Sequence, residues 1–313
     1  MLKFLMKSQI KSSQVTQKQG GFTLIELLVA AVIASLIITP LLGFMVNVVN
    51  RDSREQAKSN SEQEIQTALN YISRDLRQAI YVYDSAGVNE IRTQLPYAND
   101  NTKLPVLVFW KRDLVRDVVP TATNNSRDDA FVYSLVAYYL IKDNNNVWSR
   151  ASRIGRWSIR DGVAARSGGV SCPGYDANVL YVALNHCPDP GFASFTEQLE
   201  EVGTLEQAMN RWVKHPTPYT NPLTVLTDYI DQTPNPVGAA ATCPAGFDNA
   251  PVTPGNMTGF YACVDVESVT AQVFIRGNAM ARIRDNNIDY VAANRTYFPT
   301  SSVRIQGRGF LFR

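Results

Sequence analysis

An apolar segment near the N-terminus constrains this chain more than any other feature. From Phe22 to Asn50 the sequence reads FTLIELLVAAVIASLIITPLLGFMVNVVN, and Glu26 is its one ionisable side chain. A helix of about 20 apolar residues crosses the hydrocarbon core of a bilayer, so the run from Leu27 to Val49 is long enough. We therefore expect residues 22–50 to form a helix that spans a membrane.

Charge is distributed unevenly about this segment. Four lysines and no acidic residue precede it, at Lys3, Lys7, Lys11 and Lys18. Without these four, 26 basic residues stand against 28 acidic ones. The basic leader predicts a cytoplasmic N-terminus, with the bulk of the chain on the far side of the membrane. A nucleic-acid-binding surface is not expected, because it would need the basic excess on the folded part.

The boundary between leader and apolar segment carries a recognisable motif. A secretory signal peptide has a shorter apolar run that ends in a small-residue cleavage site, whereas here the glycines come before the run. The hexapeptide Gly21-Phe22-Thr23-Leu24-Ile25-Glu26 resembles the processing site of type IV prepilins and of the related pseudopilins. The resemblance implies that residues 1–21 are a leader, that prepilin peptidase cuts after Gly21 and methylates Phe22, and that the apolar segment is retained.

Glu26 has two interpretations. A carboxylate near the start of a membrane helix can lie at the interface, where water solvates it and the helix N-terminus favours its charge. The resemblance implies instead that Glu26 pairs with the N-terminal amine of a neighbouring subunit during assembly. A carboxylate in an apolar filament core is tolerated only with a partner, and we favour this assembly role. Pro40 lies within the segment, where a proline is expected to kink the helix.

Residues 51–84 are expected to continue the helix beyond the membrane. Large apolar residues recur at spacings of three and four, which places them on one face of a helix. They are Ile65, Leu69, Ile72, Leu76, Ile80 and Tyr83. The pattern predicts one helix from about Phe22 to Tyr83, whose amphipathic second half packs on the sheet of the same chain.

Residues 85–313 are expected to form the exported, β-rich globular domain. Runs rich in β-branched and aromatic residues predict an antiparallel meander with further strands near the end of the chain. The predicted strands are 106–110, 131–141, 147–150, 156–160, 269–276 and 302–312. Residues 162–260 are rich in proline and glycine and are interpreted as a large irregular insertion with one helix, Phe195 to Val213. The predicted fold class is α+β and type IV pilin-like: a long N-terminal helix packed on an antiparallel sheet.

Four cysteines lie in the part predicted to be exported. An even number is typical of disulfides in an oxidising compartment. Three connectivities are possible, and we favour Cys172–Cys187 and Cys243–Cys263, because near neighbours close small loops. The alternative is a metal site that uses these cysteines with His186 and His215, but the sequence has no C-x-x-C pair and no H-x-x-x-H motif.

No pattern of catalytic residues is visible. Two histidines leave little room for acid–base chemistry, and an adjacent His186–Cys187 pair seldom has the geometry of an activated nucleophile. Residues 285–289 (DNNID) contain oxygen ligands suited to calcium but lack the glycine and distal glutamate of an EF-hand, so a solvated turn is favoured. We expect no enzyme activity, no metal and no cofactor.

The resemblance sets the expected function: a minor pilin or pseudopilin that primes or caps a type IV pilus-like filament for secretion, motility or adhesion. The length and the insertion are similar to W-type minor pilins and J-type pseudopilins. Residues 62–84 also resemble a cyanobacterial pseudopilin of hormogonium polysaccharide secretion. The implied partners are prepilin peptidase, other pilin subunits and an assembly platform in the inner membrane.

The alternative function is a membrane-tethered module that binds a glycan or a surface without polymerising. Its predicted contacts are aromatic residues of the insertion that could stack on sugars. They are Tyr175, Tyr181, Phe192, Trp212 and Tyr229.

Overall fold

The computed structural model describes residues 21–121, 126–196, 204–234, 241–247, 251–253 and 257–309. The predicted leader, apart from Gly21, lies outside the described residues. The chain divides into two units, Met1–Asp52 and Ser53–Arg313. The long apolar helix and the antiparallel β-sheet domain that follows it confirm the α+β, type IV pilin-like fold class.

One helix dominates the start of the described chain. Helix α1 runs over 53 residues, Leu24–Leu76. The buried residues of α1 lie in the part of the helix that belongs to the second unit, and they form the expected stripe on one face. Small residues in this stripe let the helix backbone come close to its neighbours. The buried residues are Ala57, Ser61, Ile65, Ala68, Leu69, Ile72, Ser73 and Leu76.

The prediction that the helix continues to Tyr83, and the corresponding boundary of residues 51–84, are wrong at the C-terminal end. The helix ends at Leu76, and strand β1, Ala79–Val82, begins three residues later. Tyr81 pairs with Trp110 and Val82 with Phe109. All four residues of β1 are buried. Because all four residues of β1 are apolar, Ile80 fits the helical spacing by coincidence. Pairing with the next strand, residues 103–120, makes this segment a strand and not a helix.

The main sheet has five antiparallel strands, whose order is residues 79–82 (β1), 103–120 (β2), 127–141 (β3), 152–160 (β4) and 224–230 (β7). Strands β2, Lys103–Pro120, and β3, Arg127–Ile141, form a long hairpin, and β4, Ser152–Arg160, completes the predicted meander. The predicted runs 106–110, 131–141 and 156–160 lie within these strands. Residues 147–150 are not a strand but part of the loop between β3 and β4.

The interpretation of residues 162–260 as one irregular insertion needs correction. Its residues Thr224–Ile230 form strand β7, which pairs with β4 at the edge of the main sheet. The predicted helix Phe195 to Val213 ends earlier than expected: α3 is Leu205–Asn210, and residues 197–203 lie outside the description. The short strands β5, Val170–Ser171, and β6, Leu180–Tyr181, pair with each other.

The insertion is packed and not loose. Trp110 of β2 makes edge-to-face ring contacts with Phe192, Phe195 and Trp212. The indole of Trp212 donates to the carbonyl of Ala193 at 2.9 Å. This aromatic cluster fixes the insertion on one face of the main sheet, because edge-to-face pairs add directional preference to the burial of large rings.

Three further strands form a second antiparallel sheet in the order β10-β9-β8. They are β8, Phe260–Asp265, β9, Thr270–Arg276, and β10, Thr300–Gln306. A buried ion pair joins this sheet to the end of β7: Arg276 Nε donates to Asp231 at 2.6 Å. The remaining short helical segments are α2, Ser85–Ile91, and the 3-10 turns Arg92–Gln94, Leu184–His186, Ala279–Arg282 and Ala292–Tyr297.

A carboxylate in the last turn of α1 anchors the helix to the main sheet. Asp75 accepts hydrogen bonds from Lys111 of β2 at 3.0 Å, Tyr138 of β3 at 2.8 Å and Arg156 of β4 at 2.7 Å. Burial by itself raises the pKa of Asp75. The hydrogen bond and charge of Arg156, followed by the charge of Lys111, outweigh burial and hold the pKa below its ordinary value of 3.8.

Substitution of this anchor tests its contribution. Asp75→Asn removes the carboxylate partner of Arg156 and one of the two carboxylates beside the buried Lys111, which keeps Asp113, so we expect the free energy of unfolding to fall by about 3 kcal/mol at pH 7. The pKa of Asp75 is lower in the folded protein than its ordinary value of 3.8, so the ionised carboxylate contributes its full stabilisation above pH 3.8. That stabilisation is lost as the pH falls through the folded-state pKa of Asp75. Urea unfolding of both proteins should therefore show their stabilities converging below about pH 4.

Glu62→Gln is the matched control, because it makes the same chemical change on an exposed position of the same helix. We expect the control to stay within about 0.5 kcal/mol of wild type. Equal stability of Asp75→Asn and wild type at pH 7 would contradict the anchor.

Candidate membrane and assembly segment

The first half of α1 has an apolar surface with no cover. Among the described residues, this helix is the one that is long and apolar enough to cross a membrane. Phe22 is 81% exposed and Leu24 84% exposed. Each large apolar side chain left in water forgoes about 1.5–3 kcal/mol, so a surface of this kind requires lipid or protein around it. The other large exposed side chains are Ile25, Leu27, Leu28, Val29, Val32, Ile33, Leu36, Ile37, Ile38, Leu41, Leu42, Phe44, Met45, Val46, Val48 and Val49.

Thr23 and Glu26 form a capping box at the start of α1. The Glu26 carboxylate accepts from the backbone N–H of Thr23 at 3.2 Å, and the Thr23 hydroxyl accepts from the backbone N–H of Glu26 at 3.3 Å. Each side chain thus satisfies a backbone donor that the helix itself leaves unpaired. The spacing T-x-x-E from Thr23 to Glu26 is the sequence signal for this arrangement.

The capping box gives Glu26 a role within its own chain. Its carboxylate also accepts from the Thr23 hydroxyl at 3.2 Å and is exposed. An exposed carboxylate at a helix N-terminus is stabilised by the helix dipole and remains accessible to an external cation. The geometry is thus compatible with both interpretations of Glu26, and the structure brings Thr23 into the site beside it.

The predicted processing site lies directly before this cap. Gly21 and Phe22 are exposed and non-helical, and α1 begins two residues after Phe22. Among the described residues, no atom lies within 4 Å of a Cβ added to Gly21. The part of the fold that the structure describes therefore places no steric limit on a side chain at this position.

Pro40 lies inside α1, and the helix continues on both sides of it. Proline has no N–H to donate to the carbonyl four residues earlier. The Thr39 hydroxyl donates to the Ser35 carbonyl at 2.8 Å, and the Ser35 hydroxyl donates to the Val32 carbonyl at 2.8 Å. These hydroxyls cover backbone carbonyls next to the interruption, which suits a helix in a bilayer.

The cysteines form the two pairs that the sequence favoured. Cys172 is bonded to Cys187, and Cys243 to Cys263 of β8. The alternative of a metal site with cysteine ligands is therefore wrong, and so is a Cys187 nucleophile, because neither thiol is free. Across the part of the chain that the structure describes, no group of three or more His, Cys, Asp and Glu side chains is arranged to hold a metal ion.

The aromatic residues proposed for sugar stacking in the insertion are mostly core residues. Phe192 is 2% exposed and Trp212 1% exposed, and both contact Trp110. Tyr175 stacks on His215 at 4.3 Å and donates to the carbonyl of Asp189 at 2.6 Å. Phe192, Trp212 and Tyr175 stabilise the insertion, so they do not support the alternative function, whereas Tyr229 lies in β7 and lines clefts of the domain surface.

Removal of the cap tests the geometry of the segment. Thr23→Ala removes the hydroxyl that bonds to the Glu26 backbone and should destabilise the first turn of α1 by about 1 kcal/mol, whereas Thr23→Ser keeps the bond. Amide hydrogen exchange of the first helical turn, measured on the protein in detergent micelles, should be roughly fivefold faster in Thr23→Ala. Equal exchange in both variants would contradict the capping box.

Comparison with known proteins agrees with this part of the chain. Residues 16–42 match the family model of the prokaryotic N-terminal methylation motif. No curated protein and no solved structure matched the chain. The motif and the single apolar helix support a membrane-anchored, single-pass protein of type IV pilin character that is processed by prepilin peptidase.

Proposed function

We propose that the chain is a minor pilin or pseudopilin: a structural subunit, without catalytic activity, that primes or caps a type IV pilus-like filament. One observation carries the proposal. The residues that match the methylation motif also form a helix with a glutamate at its capped start and an uncovered apolar surface. A chain that leaves the bilayer must exchange lipid contacts on this surface for protein contacts, and other subunits with the same kind of helix supply them.

The lack of a steric limit at position 21 among the described residues supports processing there. Because no described atom would meet a side chain at Gly21, we attribute the glycine to recognition by the protease. Cleavage after Gly21 leaves Phe22 as the new N-terminus, one residue before Thr23. The new amine and the Glu26 carboxylate of the same chain then lie within one helical turn of each other in sequence.

Assembly requires the Glu26 carboxylate to have a partner. In an apolar filament the carboxylate and the terminal amine of a neighbouring subunit compensate each other, because an isolated buried charge costs several kcal/mol. The capping bonds to Thr23 can persist in such a pair, since a carboxylate has two oxygens and about four acceptor positions.

The finer assignment rests on the exported domain. Strands β4 and β7 are separated by an insertion with its own disulfide and aromatic cluster, which supports one of the larger minor pilins, W-type or J-type, over a major subunit. The proposed place of action is the inner membrane, with a cytoplasmic N-terminus and an exported C-terminal domain. The proposed partners are other pilin-like subunits and an assembly platform. Polysaccharide is one candidate for the material whose export the filament serves.

Charge and capping at position 26 can be separated by two variants. Glu26→Gln keeps an acceptor for the capping box but removes the charge, and Thr23→Ala removes the cap but keeps the charge. If pairing with a neighbouring amine drives assembly, Glu26→Gln should be processed normally and be lost from sheared filaments, while Thr23→Ala should still be incorporated. Immunoblots of the membrane and filament fractions measure both outcomes.

Filaments that contain Glu26→Gln at the wild-type level would contradict the assembly role. Loss of Thr23→Ala alone, with Glu26→Gln retained, would show that the helix cap, and not the charge, is the requirement. Recovery of the wild-type protein from native membranes as a monomer, never together with other pilin-like subunits, would favour the non-polymerising module.

A further inference from the structure

Trp148 differs from the other tryptophans of the chain. Trp110, Trp157 and Trp212 are at most 1% exposed, whereas Trp148 is 40% exposed. Its neighbour Val147 is 81% exposed. A large ring contributes most to stability when it is buried, so the exposed position of Trp148 forgoes stabilisation that the rest of the domain obtains from its tryptophans.

The loop that carries Trp148 is held in place on both sides of the ring. Asn145 Oδ1 accepts from the backbone N–H of Val147 at 2.7 Å. The Asp228 carboxylate accepts from the backbone N–H of Ser149 at 2.8 Å and from its hydroxyl at 2.7 Å. The fold thus presents the exposed indole on a fixed loop, which keeps the entropy cost of binding a ligand low.

A buried arginine supports the inner side of the indole. Arg153 is 2% exposed, and its guanidinium lies 5.7 Å from the centre of a Trp148 ring. An ion pair with Asp143 holds the guanidinium. Because Arg153 is almost completely buried, solvent and ligands reach the indole from the opposite side.

Three adjoining clefts surround this loop. The helix cleft, of about 820 Å³, lies between α1 and β7 and includes Trp148. The loop basin, of about 610 Å³, lies between residues 143–150 and residues 285–289. The bridging cleft, of about 310 Å³, shares Trp148 with the helix cleft and Arg150 with the loop basin.

Trp148 lines the helix cleft and the bridging cleft, and Arg150 lines the bridging cleft and the loop basin, so the three clefts adjoin one another along this loop, and we call them together the track. Each volume falls within the range of roughly 300–1,000 Å³ typical of sites for small ligands. A track of several such sites in a row fits an extended polymer better than a compact metabolite. Arg150 holds the two sides of the loop basin together, since its Nη1 donates to the Asp285 carbonyl at 3.2 Å and to Asn286 Oδ1 at 3.3 Å.

The lining of the loop basin is suited to hydroxyl groups. Nine of its twelve lining side chains are amides or carboxylates, among them Asn144, Asn145, Asn146, Asn287 and Asp289. An amide offers both donors and an acceptor, and a carboxylate accepts only, so together they match groups that donate and accept at once. Sugar hydroxyls are such groups, and the apolar face of a sugar ring complements an exposed indole.

A protein partner and a charged polymer fit less well. The core of a protein–protein interface is depleted of charged residues, whereas this basin contains Asp143, Asp285 and Asp289. Arg150 is the guanidinium that lines the basin, and the buried Arg153 pairs with Asp143, so the carboxylates remain in excess. This negative charge disfavours an acidic polymer, and the amides and hydroxyl-matching carboxylates favour a neutral sugar.

We propose that the track past Trp148 binds an extended, neutral oligosaccharide, with a sugar ring on the exposed indole and hydroxyls on the amides and carboxylates of the loop basin. This site lies on the exported domain, away from the aromatic cluster of Phe192 and Trp212, and Tyr229 of β7 lines its helix cleft and its bridging cleft. It does not depend on whether the chain polymerises.

Binding to a microarray of neutral oligosaccharides, with one to eight hexose or pentose units, tests the site. The probe is the full processed chain in lipid nanodiscs. We expect at least one neutral glycan to bind with an affinity that rises with its length.

Trp148→Ala should weaken that binding roughly tenfold or more, as for the truncation of a central aromatic contact. Asn146→Ala, at an exposed position that lines both the loop basin and the bridging cleft, should also weaken it.

Phe131→Ala is the matched control. Phe131 is 55% exposed, and the Arg112 guanidinium lies 3.8 Å from its ring centre, but it does not line the track. We expect wild-type binding from this control. If Trp148→Ala has a lowered melting temperature, Asn146→Ala decides the result. No binding to any neutral glycan, or equal binding by wild type and the two track variants, would overturn the proposal, as would retention of acidic polysaccharides alone.

Discussion

The hydrogen bonds that converge on Asp75 fix the helix to the sheet. Burial of the apolar stripe determines which face of α1 meets the strands, but apolar contacts are not directional and tolerate sliding. Bonds from Lys111, Tyr138 and Arg156 come from three adjacent strands and are directional, so they set the position of the last turn of α1. The same continuous helix carries Thr23 and Glu26 at its other end. One helix thus carries the Thr23–Glu26 cap at its start and the Asp75 hydrogen bonds at its end.

The sequence was sufficient where a single pattern had a single physical solution. A long apolar run needs a nonpolar environment, a stripe at helical spacing needs a surface to cover it, and short Cys–Cys separations favour local pairing. The end of α1 could not be predicted in this way. Ile80 and Tyr83 continue the helical spacing, yet β1 is buried on both faces, and pairing with β2 thirty residues later decides its conformation. Strand β7 was missed because proline-rich flanks obscured a run of β-branched residues, Thr224–Ile230.

The candidate sites divide in the same way. The Thr23–Glu26 capping box is local, and its T-x-x-E spacing was available in the sequence. The exposure of Trp148 was not available, because the bonds that hold its loop come from Asp228, 79 residues away. Local alternation in residues 147–150 favoured a strand, and only the tertiary contact turns this segment into a loop that presents the ring. The aromatic residues of the insertion could stack on sugars or form a core, and residues at such density are more often core; the edge-to-face contacts of Phe192 and Trp212 with Trp110 place these two in the core.

The mass of the N-terminal peptide tests the central claim most directly, since processing and retention of the apolar helix underlie everything proposed for assembly. The protein would be purified from native membranes and analysed by intact and peptide mass spectrometry. The account predicts a mature chain that begins with N-methylated Phe22 and still contains Leu24–Leu76. A chain that retains Met1 in cells with active prepilin peptidase, or one cut after the apolar segment, would contradict it.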